Sequence, residues 1–169
     1  MELFKEIKAE ELQENPFEKI GKDWMLITAK NGESVNTMTA SWGGLGVMWH
    51  KNVAFVVIRP QRYTKEFVDS SDSFSLSFYD EKYKKNLSYL GSISGRDENK
   101  IEKTNFNMTY DADTPFFTEA SVVLKCRKLF AMPFEEQCFI DKSIISTHYR
   151  EKDYHTLYIA EIEKVLVKN

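Results

Sequence analysis

Short apolar segments separated by turn signals dominate the chain, and most of them have the pattern of β-strands. Residues 24–30, WMLITAK, and residues 35–41, VNTMTAS, each predict a strand. Asn31 and Gly32 lie between them, and this pair favours a tight hairpin turn because both central residues of such a turn need positive φ. The sequence therefore predicts an antiparallel hairpin in this region.

The next segment reads as a strand, a short helix and a second strand. Residues 52–59, NVAFVVIR, are rich in β-branched residues and predict a buried strand, which Pro60 ends because proline has no amide hydrogen for a ladder. Thr64 can cap a helix over residues 65–71, since its hydroxyl can accept from the free amides of the first turn. Residues 73–79, SFSLSFY, alternate serine with large apolar residues, as a half-buried strand does.

The second half of the chain again contains more strand than helix. Asp80 can cap a helix that continues through Leu90 and ends at Gly91. Period-two or β-branched patterns predict strands over residues 120–132, 138–149 and 154–168. The helices are too few to connect a parallel sheet, so the pattern favours a closed or partly closed antiparallel barrel.

Composition narrows the class of protein. The 169 residues fit one domain over residues 1–169, and the net charge of -3 argues against a nucleic-acid partner. The first twenty residues are charged throughout, and no apolar run approaches bilayer length, so we expect a cytoplasmic protein with no membrane segment. Cys126 and Cys138 lack the spacing of a redox or zinc pair, and we expect both to be free thiols that fill the core.

Two segments carry candidate phosphate chemistry. The glycine cluster at residues 43–46, GGLG, lacks the spacing of a nucleotide loop, which favours a bend or a close approach of two strands. The segment RPQRYTK at residues 59–65 combines cations, a hydroxyl and the start of a helix, which suits a phosphate but equally suits a solvated face. Residues 92–100 repeat this theme, although their acidic residues favour a solvated loop.

Side chains for acid–base, nucleophilic or metal chemistry are not evident from the pattern. No pair among His50, His148 and His155 has the spacing of a metal site, so we expect no metal. No serine or cysteine lies in a recognisable nucleophile elbow. The residues therefore predict no catalytic side chain.

Four segments together resemble the flavin reductase-like family of FMN-binding split barrels, of the flavoredoxin type. They are NTMTASWGGLGVMW (residues 36–49), VAFVVIRPQRYTKEF (residues 53–67), GSISGRDENK (residues 91–100) and DYHTLYIAEI (residues 153–162). The resemblance implies a mainly β fold, a six-stranded antiparallel Greek-key split barrel with a few short helices. It also implies a homodimer with one noncovalent FMN per subunit near the interface.

The resemblance also assigns residues to the cofactor. Those expected at the flavin ring are Asn36, Thr37, Met38, Thr39, Ala40, Ser41 and Trp42. Those expected at the ribityl chain and phosphate are Arg59, Pro60, Gln61, Arg62, Tyr63, Thr64 and Lys100, with Ser92, Ser94 and Arg96 in the neighbouring loop. His148, Tyr154, His155 and Tyr158 fall in a region that can approach the flavin, with no role assigned.

The activity that the resemblance implies is flavin chemistry. An NAD(P)H-dependent flavin reductase would accept hydride from NADH or NADPH and pass electrons to free flavin or another acceptor, such as a redox protein. The alternative is an FMN-binding electron carrier that a partner protein reduces. Residues 130–154 resemble the family least, which leaves the electron donor and acceptor open.

Overall fold

The structure is a computed structural model and describes residues 3–169. The β-strands are Phe4–Ile7 (β1), Met25–Asn31 (β2), Ser34–Ala40 (β3), Gly43–Met48 (β4), Lys51–Ile58 (β5), Ser73–Phe78 (β6), Met108–Asp111 (β7), Thr114–Phe117 (β8), Val122–Pro133 (β9) and Thr156–Lys168 (β10). The α-helices are Pro16–Glu18 (α1), Tyr63–Ser70 (α2), Lys84–Ser92 (α3), Lys100–Thr104 (α4) and Ser143–His148 (α5).

One antiparallel sheet organises the molecule. Its strand order is β3-β2-β6-β9-β10-β5-β4, and β1 pairs with the last residues of β10 beyond the end of β5. Strands β7 and β8 form a separate hairpin. The mainly β, antiparallel class is confirmed, but the main sheet has eight strands rather than six.

The two edges of this sheet meet at one corner. Strands β3 and β4 are the outer strands of the order, yet only Ser41 and Trp42 separate them in the chain. Residues 3–169 show no ladder between β3 and β4. The sheet therefore curls into a barrel that stays open along this seam, and β3 keeps a free edge there.

Two apolar clusters hold the barrel. Met25 and Ile27 point into a core shared with Phe74 and Leu124, whereas Leu26 points to the opposite face of the same strand. This second face is covered by a cluster that includes Leu87 and Leu90 of α3. Strand β2 is thus buried on both faces, which fixes α3 against the sheet.

Several predicted elements are confirmed, with shifted ends. The hairpin turns at Gly32, which has a φ of 57°. Helix α2 begins at Tyr63, so Thr64 lies within its first turn and does not cap it. Asp80 precedes a 3-10 turn and its side chain makes no capping bond, while α3 continues to Ser92, beyond Gly91.

The strand predicted over residues 138–149 is wrong. After β9 ends, the chain leaves the sheet, forms a 3-10 turn at Glu136–Cys138 and then the short helix α5. Of the apolar residues in this segment, Phe139 and Tyr149 pack with Tyr154 in a local cluster, whereas Ile140 and Ile144 are exposed. We call residues 134–155 the β9–β10 connection.

The structure also bears on the cysteines and on the glycine cluster. Both cysteines are free; Cys126 is buried as predicted, but Cys138 is exposed and fills no core. Gly43 has a φ of 147°, and a Cβ there would lie 2.4 Å from the Phe55 carbonyl oxygen, which confirms the close approach of strands. Residues 3–169 contain no helix long and apolar enough to cross a membrane, and no group of three or more ligands arranged for a metal ion.

Candidate functional site

A cleft of about 200 Å³ opens at the free edge of β3, beside the seam of the barrel. Its lining residues are Met38, Thr39, Ala40, Ser41, Trp42, Val57, Arg59, Arg62 and His155. Because β3 pairs only with β2, every second residue of β3 directs its amide and carbonyl away from the ladder. The Thr39 hydroxyl donates to the Leu87 carbonyl at 2.5 Å, which ties this edge to α3. The cleft therefore offers backbone donors on a fixed strand.

A second cavity, of about 430 Å³, lies beside α2 and α4 and includes Asn36, Tyr63, Gly95 and Lys100 in its lining. Asn36 is buried, and its amide donates to the Thr64 hydroxyl at 3.0 Å. A Cβ on Gly95 would lie 2.4 Å from Asn36 Oδ1, so only glycine allows the loop to approach β3 this closely. This contact joins the first and third of the four sequence segments.

Arg62 and Lys100 are two cations held by carbonyl oxygens at the end of α3. Lys100 Nζ donates to the carbonyls of Leu90 at 2.7 Å and Ile93 at 2.9 Å, and Arg62 Nη1 donates to the Gly91 carbonyl at 2.8 Å. Lys100 is only 3% exposed. Neither cation forms an ion pair with a carboxylate within the described part of the chain. The pair therefore carries positive charge that no protein anion neutralises.

The electrostatics of this pair agree with its geometry. Burial, followed by the neighbouring Arg62 charge, lowers the pKa of Lys100 to about 8. Burial also lowers the pKa of the Arg62 guanidinium. Burial disfavours the cationic form of both groups, and at Lys100 the like charge of Arg62 adds to this effect. A bound anion would relieve both pKa shifts.

Arg96 and Arg59 already have carboxylate partners. Arg96 pairs with Glu66 and lies 4.5 Å above the Tyr63 ring. Arg59 pairs with Asp153 and donates to the His148 carbonyl at 2.9 Å. Arg59 thus anchors the β9–β10 connection, and of the three arginines predicted near the phosphate only Arg62 has no carboxylate partner within residues 3–169.

Most of the remaining predicted residues use their polar atoms within the protein. Gln61 donates to Asp153 at 2.7 Å, and the Thr37 hydroxyl is buried 2.8 Å from that of Thr28. The Ser92 hydroxyl donates to the Tyr89 carbonyl at 3.0 Å. The Ser94 hydroxyl accepts from the Arg96 amide at 3.2 Å, and Pro60 follows β5 directly.

The β9–β10 connection contributes Tyr149, which the sequence did not single out, together with His148 and His155, to which the resemblance assigned no role. The Tyr149 hydroxyl lies 2.7 Å from His155 Nδ1, and His155 packs against Trp42 with ring centroids 5.2 Å apart. His148 contacts the other side of the tryptophan at 5.3 Å. Tyr158 is instead directed to α2, where its hydroxyl donates to Asp69 at 2.5 Å. For Tyr149 the sequence signal is the density of aromatic residues in this connection, whereas the resemblance itself points to His148 and His155.

Comparisons with known proteins agree with this architecture. The family model described as the flavin reductase like domain matches residues 17–169. No curated protein sequence matches the chain.

Solved structures share the fold at low sequence identity. Flavoredoxin from Methanosarcina acetivorans aligns with a TM-score of 0.70 and 20% identity, over 87% of this chain and 69% of that chain. An FMN-binding domain of a flavin reductases-like enzyme from Shewanella baltica OS155 aligns with a TM-score of 0.71 and 18% identity, over 98% and 77%. Flavoredoxin of Desulfovibrio vulgaris (Miyazaki F) aligns with a TM-score of 0.68 and 19% identity, over 86% and 69%. The fold, the seam and the family match lead to one conclusion: the chain belongs to the flavin reductase-like domain family and has its split-barrel fold.

Proposed function

We propose that the protein binds FMN noncovalently and works as an NAD(P)H-dependent flavin reductase. The observation that carries this proposal is the unneutralised pair Arg62 and Lys100 at the end of α3. A phosphate monoester is a dianion with several acceptor oxygens, and it matches directed cationic donors that lack a carboxylate. The donor set present therefore fits the phosphate end of FMN.

The edge of β3 fits the other end of the cofactor. Its outward amides, within residues 38–42, can donate to the carbonyl oxygens and ring nitrogens of a flavin. The close approach of Gly95 to Asn36 holds the loop after α3 against β3. The part of the site proposed for the phosphate and the part proposed for the flavin ring therefore keep fixed positions relative to each other. Trp42, at the end of this segment, packs against His155, and the two rings form an aromatic wall of the cleft.

Bound FMN supplies hydride acceptance from a reduced nicotinamide and transfer of electrons to a second acceptor, such as free flavin. The residues of this chain bind and orient the cofactor. Arg62 and Lys100 neutralise the phosphate, β3 sets the plane of the ring, and the wall of the cleft excludes water from one side. No side chain is required to take up a proton in this scheme.

A carrier that a partner protein reduces is the second candidate. It is favoured by the two structural relatives that are named flavoredoxins. The binding site for FMN would be the same, but a reduced nicotinamide would not be the electron donor. The two candidates therefore differ only in how electrons arrive.

We also propose that the working form is a homodimer. The cleft of about 200 Å³ is smaller than a typical cofactor pocket of about 300–1,000 Å³, so a second subunit would complete it. Exposed apolar side chains near β4, β5 and β9, namely Val47, Trp49, Phe130 and Met132, form a surface that could be covered in this way.

The test combines binding and reduction. Titration of FMN should quench flavin fluorescence, and anaerobic addition of NADH or NADPH to the loaded protein should bleach the flavin absorbance promptly. If the flavin absorbance persists after NADH and NADPH are added and is lost only with a reduced redox protein, the result would support the electron carrier instead. If FMN fluorescence is unchanged by the protein, both candidates are wrong.

A further inference from the structure

Tyr149 and His155 form a buried polar pair on the wall of the cleft, outside the residues that the proposed FMN site uses for the phosphate. They are 3% and 7% exposed, and the Tyr149 hydroxyl lies 2.7 Å from His155 Nδ1. His155 lines the cleft and packs against Trp42. Because Nδ1 contacts Tyr149, the other ring nitrogen of His155, Nε2, is the polar atom of the pair that can contact a ligand in the cleft.

The chemistry of the two groups fixes the direction of their hydrogen bond. Burial raises the pKa of Tyr149, so its hydroxyl keeps its proton, and burial lowers the pKa of His155 to about 4, so the ring is neutral at pH 7. A neutral imidazole has one donor nitrogen and one acceptor nitrogen, and a tyrosine hydroxyl can both donate and accept. The Tyr149 hydroxyl makes no other hydrogen bond within residues 3–169, so its proton has a partner only if it donates to Nδ1, which places the ring proton on Nε2.

The second ring nitrogen is the free end of the pair. His155 Nε2 makes no hydrogen bond to any of residues 3–169. Nε2 is not one of the buried side-chain atoms that lack a partner, so it is accessible, and His155 lines the cleft. Water or a ligand in the cleft can therefore accept from it.

We propose that Tyr149 is a positioning residue, which holds His155 so that Nε2–H is a neutral donor to a carbonyl-type oxygen of the ligand in the cleft. This inference rests on the proposed function, in which the cleft holds flavin and admits a nicotinamide. The flavin ring and the nicotinamide carboxamide both carry such an oxygen. A neutral donor orients this oxygen without adding charge to the wall.

The same aromatic cluster offers a matched control. Tyr154 packs on Tyr149 with ring centroids 5.2 Å apart, but its hydroxyl donates to Glu136 on the exposed side at 2.9 Å. Tyr149→Phe and Tyr154→Phe therefore remove one hydroxyl each from one cluster, and only the first removes the contact to His155.

The first test needs no ligand. Nitrogen-15 chemical shifts of the histidine ring in the protein without flavin should show a protonated Nε2 and a hydrogen-bonded, unprotonated Nδ1. Tyr149→Phe should remove the hydrogen-bond shift at Nδ1, and Tyr154→Phe should leave it unchanged. A wild-type spectrum with the proton on Nδ1 would overturn the proposal, whether or not the variants fold.

The second test measures binding of FMN and then binding of NADH or NADPH to the loaded protein. Tyr149→Phe should weaken one of these steps roughly three- to tenfold, the size of one net hydrogen bond, while Tyr154→Phe should not. Weaker binding of FMN identifies a flavin oxygen as the acceptor of the Nε2–H hydrogen bond. Weaker binding of the nicotinamide alone identifies the carboxamide oxygen. Because Tyr149 acts through His155, the variant should add no further loss in a His155→Leu background.

The outcomes separate this proposal from the function on which it rests. A wild type that binds no FMN would overturn the proposed function and the ligand assigned to His155. A wild type that binds FMN and nicotinamide no more tightly than Tyr149→Phe would overturn the positioning role alone. Fully additive losses of binding affinity on combining Tyr149→Phe with His155→Leu would also contradict the positioning role.

Discussion

Lys100 shows how one residue can carry the chemistry of a site. Its ammonium group is buried and held by two carbonyl oxygens, with Arg62 as its charged neighbour and no carboxylate partner within residues 3–169. Surface lysines gain little from specific partners, whereas a buried cation without a counter-ion is costly. The phosphate of the proposed FMN would supply the counter-ion that Lys100 lacks within residues 3–169.

Lys100→Met should weaken the binding of FMN far more than the binding of riboflavin, because riboflavin lacks the phosphate. A charge-assisted hydrogen bond contributes about 1.5–3 kcal/mol, so FMN affinity should fall roughly ten- to 150-fold. Lys65→Met is the control, since Lys65 is a nearby lysine that already pairs with Asp69. Fluorescence titration measures all these affinities, and equal losses for FMN and riboflavin would refute the assigned phosphate site.

The affinity for FMN should also depend on pH. The lowered pKa of Lys100, about 8, means that the free protein loses this proton as the pH rises above that value. Binding a dianion then requires proton uptake, so FMN affinity should decrease above about pH 8 while riboflavin affinity stays level. The Lys100→Met variant should lack this decrease, and a wild-type profile that is flat from pH 7 to pH 10 would contradict the assignment.

His155 makes a prediction for stability at acidic pH. Its pKa is lowered from 6.5 to about 4 by burial, so the unfolded chain binds a proton that the folded chain does not between these pH values. Stability should therefore fall as the pH decreases through this window, by on the order of 2 kcal/mol from this residue. Urea unfolding of the wild type and of His155→Gln at pH 7 and pH 4.5 measures the difference, which should be smaller in the variant.

At the scale of elements, the seam depends on glycine. Gly43 begins β4 where the chain crosses from one sheet edge to the other, and a Cβ there would meet the Phe55 carbonyl at 2.4 Å. Its φ of 147° is also unfavourable for other residues. The close crossing keeps the edge of β3 in place beside the cleft.

Gly43→Ala should therefore destabilise the fold by about 2–3 kcal/mol, because backbone atoms on β5 cannot move aside cheaply. Gly21→Ala is the control, since a Cβ at Gly21 would meet nothing within 4 Å. Thermal unfolding of both variants tests this expectation. Equal melting temperatures for the two would show that the approach at Gly43 is not restrictive.

Local sequence patterns predicted the strands well in the part of the chain that pairs within the main sheet. The hairpin and the strands β5 and β6 each depend on neighbours in sequence, and all three elements are confirmed. The turn is shifted by one residue to Gly32 and Glu33, because Asn31 pairs with Ser34, and β6 is buried on both faces, with Ser75 and Ser77 buried like the apolar residues between them. The strand predicted over residues 138–149 is wrong because Phe139 and Tyr149 pack within the β9–β10 connection and Ile140 is exposed, so the segment has no face on the sheet.

The candidate site was predictable only in outline. The resemblance named Arg62 and Lys100, which the fold brings to the same end of α3. The partners of Arg59 could not be read from the sequence, because Asp153 lies far along the chain and meets it only through the β9–β10 connection. The Tyr149–His155 contact likewise depends on how that connection folds back.

At the scale of the whole molecule, the exposed apolar surface makes a prediction about assembly. Trp49 and Phe130 lie with ring centroids 6.4 Å apart and are 54% and 40% exposed. Sedimentation equilibrium should give a dimer, and Trp49→Lys should shift it toward monomer because a charge would have to be buried. Tyr110→Lys, on the separate β7–β8 hairpin, is the control and should leave the dimer intact. A monomeric wild type would refute the dimer.

The central claim is that one ligand, FMN, bridges the cationic pair at α3 and the free edge of β3. A crystal structure grown with excess FMN tests this most directly. The account predicts a phosphate within hydrogen-bond distance of Arg62 and Lys100, and a flavin ring against residues 38–42. Flavin density at any other place, or no flavin density at saturating concentration, would contradict it.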